Sequence, residues 1–294
     1  MNTTNIFTMN NEPTLHFTDD DPEPVTAHDR GSLLIFTGPH NGHAVPACLP
    51  ECLGTKADWF SKAHEAADLH MDSLFKSMMT TMPDTSFIYG NYSRLVCDLN
   101  ARPESAITLH SSEYKDIKIP NNQPDQCCDN QKERRLNALY HPYHNTKAAM
   151  IDRARANNNG GVIVLDMHSF TPTWVEKQRD VEIGTLRSER TPLSEALEAY
   201  LKDQSEYHFI SGEPYRVSER SHNAASRISE KNDLQYLGLE IRNDLISTPE
   251  GLAKMAAFVQ GCVDHLLSHP NLAQLIAPKS GVIKKQMEDA PSVS

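Results

Sequence analysis

Three short apolar runs constrain this chain more than any other feature, because each ends in groups that can do chemistry. Ser32–Phe36 (SLLIF) leads into TGPH and His40. Val162–Leu165 (VIVL) leads into Asp166, His168 and Ser169, and the run YLGLEIR carries Glu240 inside it. Runs this short, bounded by loop residues, read as buried strands. Segments of helical character lie between them. Apolar residues at Trp59, Phe60, Ala63, Ala67, Leu74 and Met78 repeat at helical spacing. Lys132–Asn157 reads as helical but carries Pro142, which predicts a kink or a split. Pro192–Gln204 is a third helix, and a last one opens at Thr248 as N-cap with Pro249 at its first position. SFIYG and SRLVCDLN read as a strand or hairpin, and VEIGTL and YHFIS as further strands. Strands alternating with helices predict an α/β sheet covered by helices on both faces. In such sheets ligands gather at the C-terminal strand ends, where His40, His168 and Glu240 fall.

The bulk numbers narrow the function classes. A chain of 294 residues with net charge -11 should repel nucleic acid and anionic membranes. No apolar run approaches the ~20 residues of a membrane span, and the polar N-terminus does not read as a secretory signal. The six cysteines form no CxxC, which predicts free thiols and a cytoplasmic setting. Residues 1–30 read as a polar arm, 31–278 as one domain and 279–294 as a polar tail. There is no GxGxxG or P-loop and no GxSxG elbow, so Ser169 reads as a structural hydrogen-bonder.

Two histidines at strand ends suit Zn²⁺, which takes imidazole and carboxylate ligands and leaves a position for water. His64, Asp68 and Asp72 are spaced i, i+4, i+8, so on one helix they share a face, here beside alanines. His43 is a rival third ligand, since His40-x-x-His43 makes a local chelate. Glu240 sits in an apolar run, where a carboxylate needs a partner or a task. Burial would suit it to general acid–base work; the competing reading is an ion pair with Arg242, two residues along on the same strand face. Arg94 and Arg102 flank LVCDLN, and either guanidinium can grip a substrate carboxylate through its fork.

Taken together, GPHNGHAVP, HEAADLH, SRLVCDLNARP, YHPYHNTKAAMI, VLDMHSFTP, GEPY and GLEIRNDLI occur in the order found in the N-formylglutamate amidohydrolase family, whose less characterised branch this chain resembles over roughly Ser32 to Leu266. The resemblance implies a zinc-carboxypeptidase-like fold, a three-layer α/β/α sandwich around a mixed sheet. It implies His40, Asp68 and His168 as metal ligands, with Asp68 ranked above His43 and Asp72, and Glu240 as general acid/base. Arg94 and Asn100 match the part of the fold that grips a substrate carboxylate. Arg102, His144, Tyr215 and Arg242 are further substrate-binding candidates. Where the family reads NR, this chain has Asn100-Ala101-Arg102, and the extra alanine could turn Arg102 away. The expected activity is zinc-dependent hydrolysis of a small-molecule N-acyl amino acid such as N-formylglutamate. The alternatives are a metallo-carboxypeptidase or cell-wall peptide amidase, and a non-catalytic binding protein on the same fold. The stretch Ala106 to Asp129 is expected to be a long loop or lid that separates small substrates from peptides.

Overall fold

The computed structural model describes residues 21–46, 63–107, 129–174, 176–187, 189–215 and 233–281, with two short strands, Glu113–Tyr114 and Ile117–Lys118. In chain order the main elements are β1 Val25–His28, β2 Leu34–Gly38, α1 Met71–Thr81, β3 Ser86–Gly90 and α2 Asp129–Arg135. They continue with α3 His141–Asn157, β4 Ile163–Phe170, β5 Ile183–Leu186, α4 Pro192–Asp203, β6 Phe209–Ser211, β7 Leu237–Arg242, α5 Pro249–Leu267 and α6 Leu272–Leu275. Seven strands form one mixed sheet in the order β1-β3-β2-β4-β7-β5-β6. Its centre, β2-β4-β7, is parallel, with Thr37 opposite Asp166 and Glu240 opposite His168. The three apolar runs of the sequence are therefore neighbours, and their chemical ends meet at one edge.

Period-two alternation divides the strand residues between two cores. On one face Phe36, Leu165, Met167, Leu239 and Ile241 pack against α1, α4 and α5. On the other, Ile35, Ile88 and Val164 pack against Tyr143, Met150, Ile151 and Ala154 of α3. This is the three-layer α/β/α sandwich expected from the sequence. The even-numbered residues Asp166 and His168 share the α3 face with Val164, and Glu240 lies opposite His168.

Several elements depart from expectation. Val25–His28, assigned to the polar arm, form an edge strand antiparallel to β3. SRLVCDLN is a buried loop rather than a strand: Val96 and Cys97 N–H groups donate back to the Ser93 carbonyl, and Asp98 N–H to Ala106. As the sequence predicts, the α-helix is split near Pro142, into α2 and α3. Pro142 sits in the first turn of α3, and the turn before it, Leu136–Tyr140, widens to a π-helix, which relieves the clash a proline ring makes with the carbonyl four residues back. Thr248 caps α5 as expected, its hydroxyl accepting from Gly251 N–H at 3.1 Å. Most of the supposed lid, 108–112, 115–116 and 119–128, lies outside the described residues.

Candidate active site

Asp68 does not sit on a helix. A short helical turn at 63–65 ends before it, and α1 begins only after His70, whose backbone is left-handed (φ 67°). The break turns Asp68 inward, where its N–H donates to the His40 carbonyl at 2.9 Å. The expected His64/Asp68/Asp72 face is thereby lost. His64 and His43 are exposed and meet edge to face at 5.3 Å, and Asp72 pairs with Lys76 at the surface. Neither His43 nor Asp72 joins His40 and His168; the buried His40, Asp68 and His168 come together, each offering an atom within 4.8 Å of the others.

The ring orientations are set from behind. His40 Nε2–H donates to Asp98 Oδ1 at 2.7 Å, leaving Nδ1 3.8 Å from Asp68 Oδ2. His168 presents Nδ1 to the same Oδ2 at 2.8 Å, with Nε2 3.4 Å from Asp166 Oδ2. Each imidazole is thus backed by its own carboxylate, the arrangement that fixes the tautomer of a ligating histidine. Asp166 is held in turn by the Thr37 and Tyr236 hydroxyls at 2.6 and 3.2 Å. Burial opposes charge on His168, but Asp166 and Asp68 outweigh it and hold its pKa well above the ordinary value. Burial, with Arg94 assisting, lowers that of His40. Burial favours the neutral acid at Asp166, yet His168 and Lys147 bring it down to about 2. With His168 neutral, as a ligand must be, and the other groups ionised, four buried carboxylates, Asp68, Asp98, Asp166 and Glu240, face two cations, Arg94 and Lys147, the pKa of the latter lowered by burial to about 8. The difference is two negative charges, which one divalent cation would neutralise. Donor set, backing carboxylates and charge fit a divalent metal ion.

Glu240 is 3% exposed, and its Oε2 has no hydrogen-bond partner among the described residues. Burial, reinforced by Asp68 and Asp166, pushes its pKa up to about 7 against the pull of His168 and Arg94. Arg242 is not its partner: that guanidinium is on Asp244 at 2.8 Å and Glu182 at 3.1 Å. Arg94 lies at the site, donating to Asp98 Oδ2 at 3.2 Å and 3.9 Å from Asp68. Asn100 Nδ2 is 3.5 Å from His168 Nε2, and its buried Oδ1 is unpartnered among the described residues. Arg102 is exposed while Ala101 takes the buried place beside it, its carbonyl accepting from Tyr140. His144 lies behind the loop, its Nε2 3.1 Å from the Leu99 carbonyl. Tyr215 lies at the rim, 43% exposed, its hydroxyl pushed up by burial and then by Glu240.

A family model for N-formylglutamate amidohydrolase matches residues 32–247. The chain belongs to the N-formylglutamate amidohydrolase family. The match spans every group just described. A gene product of Agrobacterium tumefaciens is similar in structure at 27% identity and a TM-score of 0.73, over 86% of this chain and 98% of that one. An N-formylglutamate amidohydrolase from Ralstonia eutropha shares the fold at 17% identity and TM-score 0.63, over 82% and 96%. A metallo-carboxypeptidase from Burkholderia cenocepacia also matches, at 11% identity and TM-score 0.34, over 85% and 60%. No curated protein matches in sequence. Within this member of the N-formylglutamate amidohydrolase family, sequence reasoning assigned no role to Asp98 or Asp166. The signal for Asp166 was present: it is two residues before His168, on the same strand face. Asp98 meets His40 across 58 residues, which no local pattern reveals.

Proposed function

We propose that this chain is a zinc-dependent amidohydrolase that cleaves the amide bond of an N-acyl amino acid, with N-formylglutamate as the leading substrate. One observation carries the reading: two carboxylate-backed imidazoles and Asp68 converge beside a buried glutamate with an unpartnered oxygen. His40 Nδ1, Asp68 Oδ2 and His168 Nδ1 would hold the ion. Bound there, zinc would polarise the acyl oxygen and lower the pKa of water from about 15.7 toward ~7. Glu240 accepts a proton from the attacking water and passes it to the leaving amine nitrogen as the C–N bond breaks. The products are a free carboxylic acid and the amino acid. Arg94, 27% exposed and steadied by Asp98, orients the α-carboxylate with the N–H groups that Asp98 does not use. Asp98 and Asp166 keep both imidazoles in the ligating tautomer. Metal analysis of the purified protein, with a turnover screen of N-formyl and N-acetyl amino acids, tests this. Stoichiometric zinc and release of free amino acid are expected. A protein that holds zinc but cleaves no N-acyl amino acid would defeat the proposal.

A further inference from the structure

Arg179 differs from the ion-paired arginines of this acidic protein. Arg94, Arg153, Arg187 and Arg242 each have a carboxylate partner. Among the described residues no Asp or Glu side chain forms an ion pair with Arg179. Its guanidinium lies over three aromatic rings instead: Tyr215 at 5.1 Å, Phe170 at 5.3 Å and Trp174 at 5.5 Å. Rings take the flat faces of a guanidinium and leave its in-plane N–H edge for a planar partner. Two of those donors are committed, one to the Thr171 carbonyl at 3.1 Å and one to the Tyr215 hydroxyl at 3.4 Å.

The fold holds this cation deliberately. A two-residue antiparallel pairing, Thr173–Trp174 with Lys177–Gln178, brings the chain back over β4, and Arg179 N–H closes it on the Pro172 carbonyl at 2.8 Å. From the sheet side Arg242 donates to the Arg179 carbonyl at 3.3 Å while anchored on Glu182 and Asp244. Phe170 is the last residue of the strand that carries His168, and it faces Arg242 two positions beyond the His168–Glu240 pair. Tyr215 bridges the two regions: its hydroxyl meets Arg179, and the Glu213 carbonyl two residues before it packs against Gly184, which lies opposite Glu240. Phe170 and the Arg179–Tyr215 pair therefore stand beyond the His168–Glu240 pair along this edge of the sheet. Arg94 is at the inner end, against Asp68 and Asp98.

We propose that Arg179, with Tyr215, is the specificity residue that takes the side-chain carboxylate of an acidic N-acyl amino acid. The inference rests on the amidohydrolase reading above. A carboxylate at Arg179 would lie beyond Glu240 along the sheet edge, which suits a group at the end of a spacer better than one next to the scissile amide. A bidentate pair there would give the guanidinium the counter-ion that no described residue supplies.

The test compares N-formylglutamate with N-formylglutamine, which keeps the shape and removes the charge, on the zinc-loaded full chain. Wild type should favour the glutamate substrate at least tenfold in kcat/KM, with the difference mainly in KM. Arg179→Ala should lose at least tenfold more on N-formylglutamate than on N-formylglutamine, and added methylguanidinium should restore part of that loss. Arg179→Lys, which keeps charge and packing stem, should fall between. An equal loss on both substrates, or an unchanged preference, overturns the proposal. Calorimetric binding of free glutamate and glutamine separates it from the enzyme reading. If wild type hydrolyses neither substrate but prefers glutamate tenfold, and Arg179→Ala abolishes that preference, the amidohydrolase fails and the Arg179 site stands. If neither amino acid binds, or Arg179→Ala binds glutamate like wild type, the Arg179 site fails.

Discussion

Glu240 is the residue on which the chemistry turns. A carboxylate in an apolar strand is costly when charged, and this one has an oxygen with no partner among the described residues. Glu240→Gln keeps size and removes basicity, so turnover should fall about 10²–10⁴-fold while zinc content and melting stay near wild type. The base works only when charged. Its pKa is raised to about 7, so activity should be lost as pH falls through that value, or through a lower one once a cation sits beside it. That acidic limb should vanish from the pH–rate profile of the variant. Asp98→Asn probes the shell behind the ligands. It keeps an acceptor for His40 Nε2–H and removes the charge, so zinc affinity measured against a chelating dye should drop about 10–100-fold. Near-normal affinity would make Asp98 a spacer.

At the scale of elements, close backbone approach places the rim. Gly184 of β5 lies opposite Glu240, and the Glu213 carbonyl packs where a β-carbon at Gly184 would be. That contact holds the segment leading to Tyr215 against the sheet. Gly184→Ala should push the segment outward and lower kcat/KM by up to about 10²-fold, the scale of a misplacement near 1 Å. A crystal structure of the variant with Tyr215 unmoved would refute this. The strands that carry the ligands were legible because they are short, apolar and end abruptly in polar residues. The position of Asp68 was legible by resemblance, but its setting was not. Helical spacing implied a face shared with His64 and Asp72, and the left-handed His70 breaks that face. The buried 93–100 loop was misread as extended because its apolar residues are there to fill space under the site, not to pair in a ladder. Arg179 was missed because its partners are rings at 170, 174 and 215, and no charge pattern marks such a cradle.

For the molecule as a whole, the surplus of two negative charges at the sheet edge links metal to stability. Carboxylates held apart from water repel one another more strongly than at the surface. Stripping zinc with a chelator should therefore lower the melting temperature, and restoring it at about 100-fold over its Kd should recover ~2.7 kcal/mol. A melting curve indifferent to zinc would remove the ion from that charge balance. The ligand groups also come from far apart in the chain: Asp68 meets His168 across 100 residues, and His40 meets Asp98 across 58. The set cannot assemble until β2 has paired with β4, the strand that carries His168, so zinc capture should follow that long-range pairing. In a refolding experiment far-ultraviolet ellipticity should recover before a zinc-sensitive signal. On the ribosome, β7 is the last of the three strands to emerge. A nascent chain stalled before it would already hold His40, Asp68 and His168 but not Glu240, so the ion could settle in an unfinished molecule that has no base to use it.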